Sequence, residues 1–149
     1  MSNQRMDKIL REQAEAVEGQ IGGWQVTFKN RLLLIITDER ANRMRIFTPI
    51  AEQQYLGEEG MVKLLEANFH SALDAKYCLY DDFIISVFTH PLQELTEGQF
   101  VDALKQVATL ADNFGTTYSS TDFIFAPGAE EKEAPEKNDK RINKKPKKS

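Results

Sequence analysis

The sequence predicts an α+β domain: helix, three strands, helix, two strands and a last helix, with an antiparallel or mixed five-stranded sheet packed by the helices. Three observations carry the prediction. Apolar residues recur at helical spacing in three separate stretches, strand-like runs rich in β-branched and aromatic residues lie between them, and Gly, Pro and Asp-Asp mark the joints.

The first helix is expected from the stripe Met6, Ile9, Leu10, Gln13 and Val17, with a stop at Gly19 and with Lys8, Arg11, Glu12 and Glu15 turned to water. Beyond Gly22-Gly23, Trp24, Val26 and Phe28 alternate with polar residues as a half-buried strand does. Lys29-Asn30-Arg31 is a turn candidate. RLLLIIT then reads as a strand apolar on both sides, and after the polar segment Asp38 to Asn42 the run RMRIFT ends at Pro49, which completes an antiparallel meander. In the middle helix Met61, Leu64, Leu65, Phe69, Ala72 and Leu73 share a face, and Glu58 and Glu59 suit the positive end of its dipole.

The stretch KYCLYDDFIISVFTHPL reads as two strands joined by an Asp81-Asp82 turn. A two-residue turn sets Tyr80 opposite Phe83 and Cys78 opposite Ile85. One side of the hairpin then shows Cys78, Tyr80, Phe83, Ile85 and Val87, and the other Tyr77, Leu79, Ile84, Ser86 and Phe88. Both sides are apolar, so either helices cover both or one side meets another chain. In LTEGQF, Thr96 and Gln99 have the spacing of a capping box and Leu95 and Phe100 that of a hydrophobic staple, which fixes a helix start. Its core face is Phe100, Leu104, Val107, Ala111 and Phe114, and it closes near Gly115.

With 149 residues and 41% hydrophobic content, the chain suffices for one core, assigned to residues 1–126. Residues 127–149 hold one large apolar residue, Ile142, and are expected to form a disordered lysine-rich tail. The longest apolar run, Leu32 to Ile36, is five residues, and MSNQRMDKIL has no apolar signal core, so a soluble, cytoplasmic chain without a membrane partner is expected. Residues 1–126 carry 11 Lys/Arg against 18 Asp/Glu, a net of −7, while the tail carries 8 against 5, a net of +3. An acidic body makes a poor nucleic-acid clamp, which leaves only the tail as a minor candidate for that role.

Chemical motifs are scarce. A single cysteine forms neither an internal disulfide nor a thiolate metal cage. A catalytic Cys78 needs a base at hand, yet the hairpin register puts His90 beyond Val87 and on the opposite side of the pleat; Cys78 reads instead as a small buried hydrophobe. His70 and His90 lack metal-ligand spacing, the pairs Asp38-Glu39, Glu58-Glu59 and Asp81-Asp82 sit where turns and helix starts want carboxylates, and no phosphate-binding or nucleophile-elbow motif occurs. The expectation is a non-enzyme with no cofactor, no catalytic residue and no metal. The alternative is a small ligand-binding regulator or enzyme whose pocket gathers Cys78, His90 and Asp81-Asp82.

The succession RMRIFTPI, LLEANF, YCLYDDFIISVFTHPL and LTEGQFVDALKQVATLADNFG resembles the type III secretion chaperone-like superfamily, which includes the Tir-type chaperones and domains described as putative bacterial sensory transduction regulators. The likeness spans roughly residues 5–120 and consists of element order and apolar positions. It implies a small acidic cytoplasmic homodimer that holds an extended segment of a partner protein or peptide. Because the middle helix and nearby strands help form the dimer in that superfamily, it also implies Met61, Leu65, Phe69, Tyr77, Leu79, Ile84 and Phe88 as dimer or partner contacts. The lysine-rich tail departs from the pattern and favours a regulatory cousin over a true secretion role.

Overall fold

The structure is a computed structural model and describes residues 1–121; the tail expected for 127–149, and the last residues assigned to the domain, lie outside the described residues. Three helices, α1 (Asn3–Gln13), α2 (Glu58–His70) and α3 (Glu97–Asp112), accompany six strands: β1 (Ala16–Gln20), β2 (Gly23–Phe28), β3 (Arg31–Asp38), β4 (Arg43–Glu52), β5 (Lys76–Tyr80) and β6 (Phe83–His90). The sheet order is β1-β2-β3-β4-β6-β5, and every neighbouring pair is antiparallel. The α+β class and the order of the expected elements hold, with one strand more than the five expected.

The extra strand is β1, and it corrects the length of the first helix. Ser2 caps α1 by accepting from the Arg5 N–H, and the helix closes at Gln13, where the Ala14 N–H still reaches the Leu10 carbonyl at 2.9 Å. The Glu15 N–H then bonds to the Thr27 carbonyl at 2.8 Å, and Val17 lies opposite Val26 in the β1–β2 ladder. Val17 extends the helical stripe by coincidence of spacing. In AVEGQ it is the one large apolar residue, so the strand owes its place to backbone pairing with β2. Gly19 is needed there: its φ is +102°, and a Cβ would come within 2.4 Å of the Gly23 carbonyl oxygen.

Two further hairpin turns, of the four among the described strands, are tight. Lys29 and Asn30 (φ 52° and 65°) join β2 to β3, and Asp81 and Asp82 (φ 52° and 68°) join β5 to β6. Positive φ at both central positions marks the primed turns whose twist matches that of the flanking strands. The second turn fixes the register anticipated above, Tyr80 opposite Phe83, Leu79 opposite Ile84, Cys78 opposite Ile85 and Tyr77 opposite Ser86. Strand β4 does not end at Pro49. It continues to Glu52 after a register shift between Pro49 and Ala51, and the Thr48 hydroxyl donates to the Leu32 carbonyl at 2.7 Å where the β3 ladder has ended.

One face of the sheet carries the core. Trp24, Val26 and Phe28 of β2, Leu33 and Ile35 of β3, Met44 and Ile46 of β4, and Ile84 and Phe88 of β6 are buried together with Met6, Ile9 and Leu10 of α1 and Phe100, Leu104, Val107 and Ala111 of α3. Helix α3 lies over β4, β6 and β5, and α1 over β1. Its start is as the sequence predicts: the Gln99 N–H donates to the Thr96 hydroxyl, the Thr96 N–H donates to the Gln99 side-chain carbonyl, and Leu95 and Phe100 are buried. Polar groups beneath α3 are paired, with the Ser86 hydroxyl donating to the Val107 carbonyl at 2.9 Å and the Tyr77 hydroxyl to the Leu110 carbonyl at 2.8 Å. Gln106, nearly inaccessible, accepts from the Asp74 and Ala75 N–H groups and donates to the Asp74 and Asp102 carboxylates, which fastens the α2–β5 connection to α3.

Candidate partner-binding surface

Side chains alternate across a strand, so each buried residue on the helix side has a neighbour pointing the other way. Those neighbours are Leu32, Leu34 and Ile36 on β3, Arg43, Arg45 and Phe47 on β4, Ile85, Val87 and Thr89 on β6, and Cys78 and Tyr80 on β5. The ladders set them in rows: Leu34 beside Phe47 beside Val87, and Ile36 beside Arg45 beside Thr89. Among the described residues, none of the three helices packs on this face. Leu32, Ile36, Tyr80 and Phe83 are exposed large apolar side chains and Phe47 and Val87 are half-buried, while Ile85 forms a buried floor.

A cleft of about 280 Å³ opens on this bare face, lined by Ile36, Arg45, Phe47, Cys78, Leu79, Tyr80, Ile85, Val87 and Thr89. Phe47 and Tyr80 meet edge to face with ring centroids 6.4 Å apart. A larger hollow of about 740 Å³, by the Asp81-Asp82 turn, is lined by Glu52, Gln53, Gln54 and the turn itself, with Leu56 and Phe83 its apolar members, and is mostly polar. The apolar cleft is the better receptor for side chains of a partner.

Helix α2 supplies a second surface. Leu64 and Ala67 are its buried residues, whereas Leu65 and Phe69 are 70% and 81% exposed. It ends at His70, so Ala72 and Leu73 belong to the connection that follows and not to the expected helix face. The position of α2 explains its bareness. It lies along β5 at the sheet edge: the Asn68 side-chain amide donates to the Tyr77 carbonyl at 3.1 Å, its carbonyl accepts from the Tyr77 N–H at 2.8 Å, and the Lys76 ammonium donates to the Asn68 backbone carbonyl. The Asn68 side chain takes the place of a next strand and seals that edge. Nothing among the described residues comparably seals β1 at the other edge.

The seven contacts implied by the resemblance separate into two groups. Met61 is half-buried, and Leu65, Phe69 and Leu79 are exposed and available to a partner. Tyr77, Ile84 and Phe88 are buried in the chain's own core. Their strand parity turns them toward α3, and burial pushes the Tyr77 phenol pKa up while its hydroxyl is spent on Leu110. They support the surface from beneath and are not free to contact another molecule.

Cys78 and His90 are not brought together. Cys78 is on the bare face, whereas His90 shares the helix side with Phe88, on which its ring stacks at 5.7 Å, and its Nδ1 lies 2.9 Å from the Pro91 carbonyl oxygen. Asp81 and Asp82 are spent on the turn. Cys78 is also exposed and not buried as expected, because no helix of the described residues covers its side of the sheet. The surrounding apolar side chains push its thiol pKa up, with the Arg45 guanidinium pulling in the opposite direction, so it has no thiolate activation. No helix among the described residues is long and apolar enough to cross a membrane.

No family model and no curated protein matches the chain. Solved structures do. The Yersinia pestis type III secretion chaperone SycH, in complex with a stable fragment of YscM2, superposes with a TM-score of 0.57 at 16% identity over 76% of this chain and 98% of that one. The fold is that of the type III secretion chaperones. The HopA1–SchA chaperone–effector complex matches with a TM-score of 0.58 at 9% identity over 75% of this chain and 92% of that one, and the ExsC–ExsE complex with 0.55 at 13% identity over 75% and 92%. At such identities the likeness is one of fold.

Arg45, Phe47, Ile36 and Asn68 did not stand out in the sequence. Ile36 was legible only as part of the second apolar side of RLLLIIT, Phe47 only as a member of the strand run RMRIFT, and Asn68 had no signal apart from its place on the polar side of α2.

Proposed function

We propose that this chain is a non-enzymatic, cytoplasmic, chaperone-like or regulatory domain that works as a homodimer and holds a segment of a partner protein on the bare sheet face. The observation that carries the proposal is that a whole face of the sheet, apolar at its centre, has no helix on it among the described residues. Covering each 100 Å² or so of such surface is worth about 2.5 kcal/mol before the cost of ordering the guest. The α2 ridge of Met61, Leu65 and Phe69, with Leu79 at the adjoining edge, serves the second copy. Leu79 also lines the guest cleft, so the dimer contact at the sheet margin adjoins the cleft and leaves its Phe47–Val87–Ile85 floor open. The chaperone–partner complexes with the same fold support the reading, as does the separation of Cys78 from His90, which leaves the enzyme alternative without an assembled site.

Sedimentation velocity of the full chain tests the dimer. The expected result is a dimer at micromolar concentration that Phe69→Asp weakens by at least about tenfold, a difference of about 1.4 kcal/mol. A strictly monomeric parent chain would contradict the proposal.

A further inference from the structure

We infer that the segment held on the bare face is extended, apolar and acidic: side chains that fill the Phe47–Val87–Ile85 floor stand beside a carboxylate that Arg45 holds. The inference rests on the reading above that the chain holds a partner segment, and names that segment's chemistry.

Among the residues that line the cleft, Arg45 is the single charged one. Its Nε reaches the Thr89 hydroxyl at a long 3.4 Å, and the ion pairs among the described residues, Arg5–Glu97, Arg11–Asp7 and Arg31–Asp112, do not include it. Its guanidinium therefore stands at an apolar floor with donors to spare, in the planar geometry that matches a carboxylate. The body as a whole carries a net −7 over residues 1–126, but surface charges beyond about 8 Å are largely screened at physiological ionic strength; the carboxylate nearest in the ladders, Asp38, lines the adjoining hollow opposite Arg43, so Arg45 is left to discriminate a guest in the cleft. Covering the cleft with apolar side chains also lowers the local dielectric around the pair, which strengthens it.

The same charge argues against a second copy as occupant. A two-fold axis through the cleft would bring Arg45 of one protomer toward Arg45 of the other, like charge against like, in the part of the interface most completely desolvated. A partner with an acidic residue among alternating apolar ones meets no such penalty. On an extended segment, residues two apart share a side, so a carboxylate at one position and apolar side chains two residues to either side can all face the sheet.

The test is fluorescence anisotropy of three labelled, blocked nonapeptides against the full chain: alternating valine and serine with a central glutamate, and the same peptide with glutamine or lysine in the centre. The glutamate peptide should bind about tenfold more tightly than the lysine peptide, corresponding to about 1.4 kcal/mol. Arg45→Glu should reverse that order, and Val87→Asp, checked for folding by circular dichroism, should abolish binding of all three. Equal binding of the three peptides, unchanged by Arg45→Glu, would overturn the acidic preference while leaving the segment-holding function in place. Failure of all three to bind would overturn both. A dimer that Val87→Asp converts to monomer would assign the face to a second copy and also overturn the inference, as would peptide binding that survives Val87→Asp.

Discussion

Ile46, Ile84 and Phe88 lie under α3 and are buried, whereas on the reverse of the sheet Phe47 of β4 and Val87 of β6 remain half-buried and Tyr80 of the neighbouring β5 is 64% exposed. The strands are hydrophobic on both sides, yet the described residues supply helix for only one. Two of the helices, α1 and α3, cover the first side, and the third is held at the sheet edge by Asn68. What separates the two faces is therefore where the helices go, and not the hydrophobicity of the strands. The uncovered side rests on a sheet already fixed from beneath, and its aromatic side chains lean on one another, as Phe47 does on Tyr80.

Substitutions can break or sharpen this contrast, and the largest effect is expected in the covered layer. Phe100→Ala should cost about 3–5 kcal/mol in urea unfolding, since the side chain is wholly buried, whereas Tyr80→Ser should stay within about 1 kcal/mol. Equal losses would mean that the bare face is part of the monomer's core. Next comes Gln106→Leu, which deprives the Asp74 and Ala75 N–H groups of their acceptor and should cost about 2–3 kcal/mol by the same assay. A neutral result would show that the α2–β5 connection holds itself.

Asn68→Ala removes both bonds that seal β5 and should cost about 1–2 kcal/mol. Its more telling consequence is concentration-dependent association through the opened edge, visible by light scattering, because an unpaired strand edge templates further pairing. The smallest effect is a titration. With its pKa raised, Cys78 has less thiolate at any given pH than a free cysteine of pKa about 8.5, so its modification by a thiol reagent in the folded chain should be slow near neutrality and still rising where the free thiol has levelled off. A plateau near neutral pH would mean an activated thiol and revive a chemical role for that face.

Much of this architecture was legible in the chain. The Asp81-Asp82 pair dictated a two-residue turn, and the turn dictated which residues of the hairpin share a side, including the separation of Cys78 from His90. The capping box at Thr96 fixed the start of α3 to the residue. Strand β1 was not legible, since its backbone is recruited by β2 while its side chains carry little pattern, and Val17 falls in phase with the preceding helix. That both sides of the β5–β6 hairpin are apolar could be read, but which side is free depends on where α3 lands. The resemblance, which speaks of elements and not of strand sides, implied Tyr77, Ile84 and Phe88 together with Leu65 and Phe69, although of these five only the last two reach the surface. Asn68 and Arg45 act through neighbours far away in sequence, Tyr77 and the cleft around Val87, and local spacing cannot announce them.

The account depends on the bare face being open in the free protein and covered when a segment is held. Cys78 reports on both, as the one cysteine of the chain and a wall of the cleft. The decisive measurement is its modification rate in the full-length protein with and without a saturating amount of the glutamate peptide, at a pH where the thiol reacts. The predicted result is ready modification of the free protein, slowed at least about tenfold by the bound peptide, as expected when solvent access to the thiol is closed. An unchanged rate while anisotropy shows the peptide bound would place the guest elsewhere and contradict the central claim.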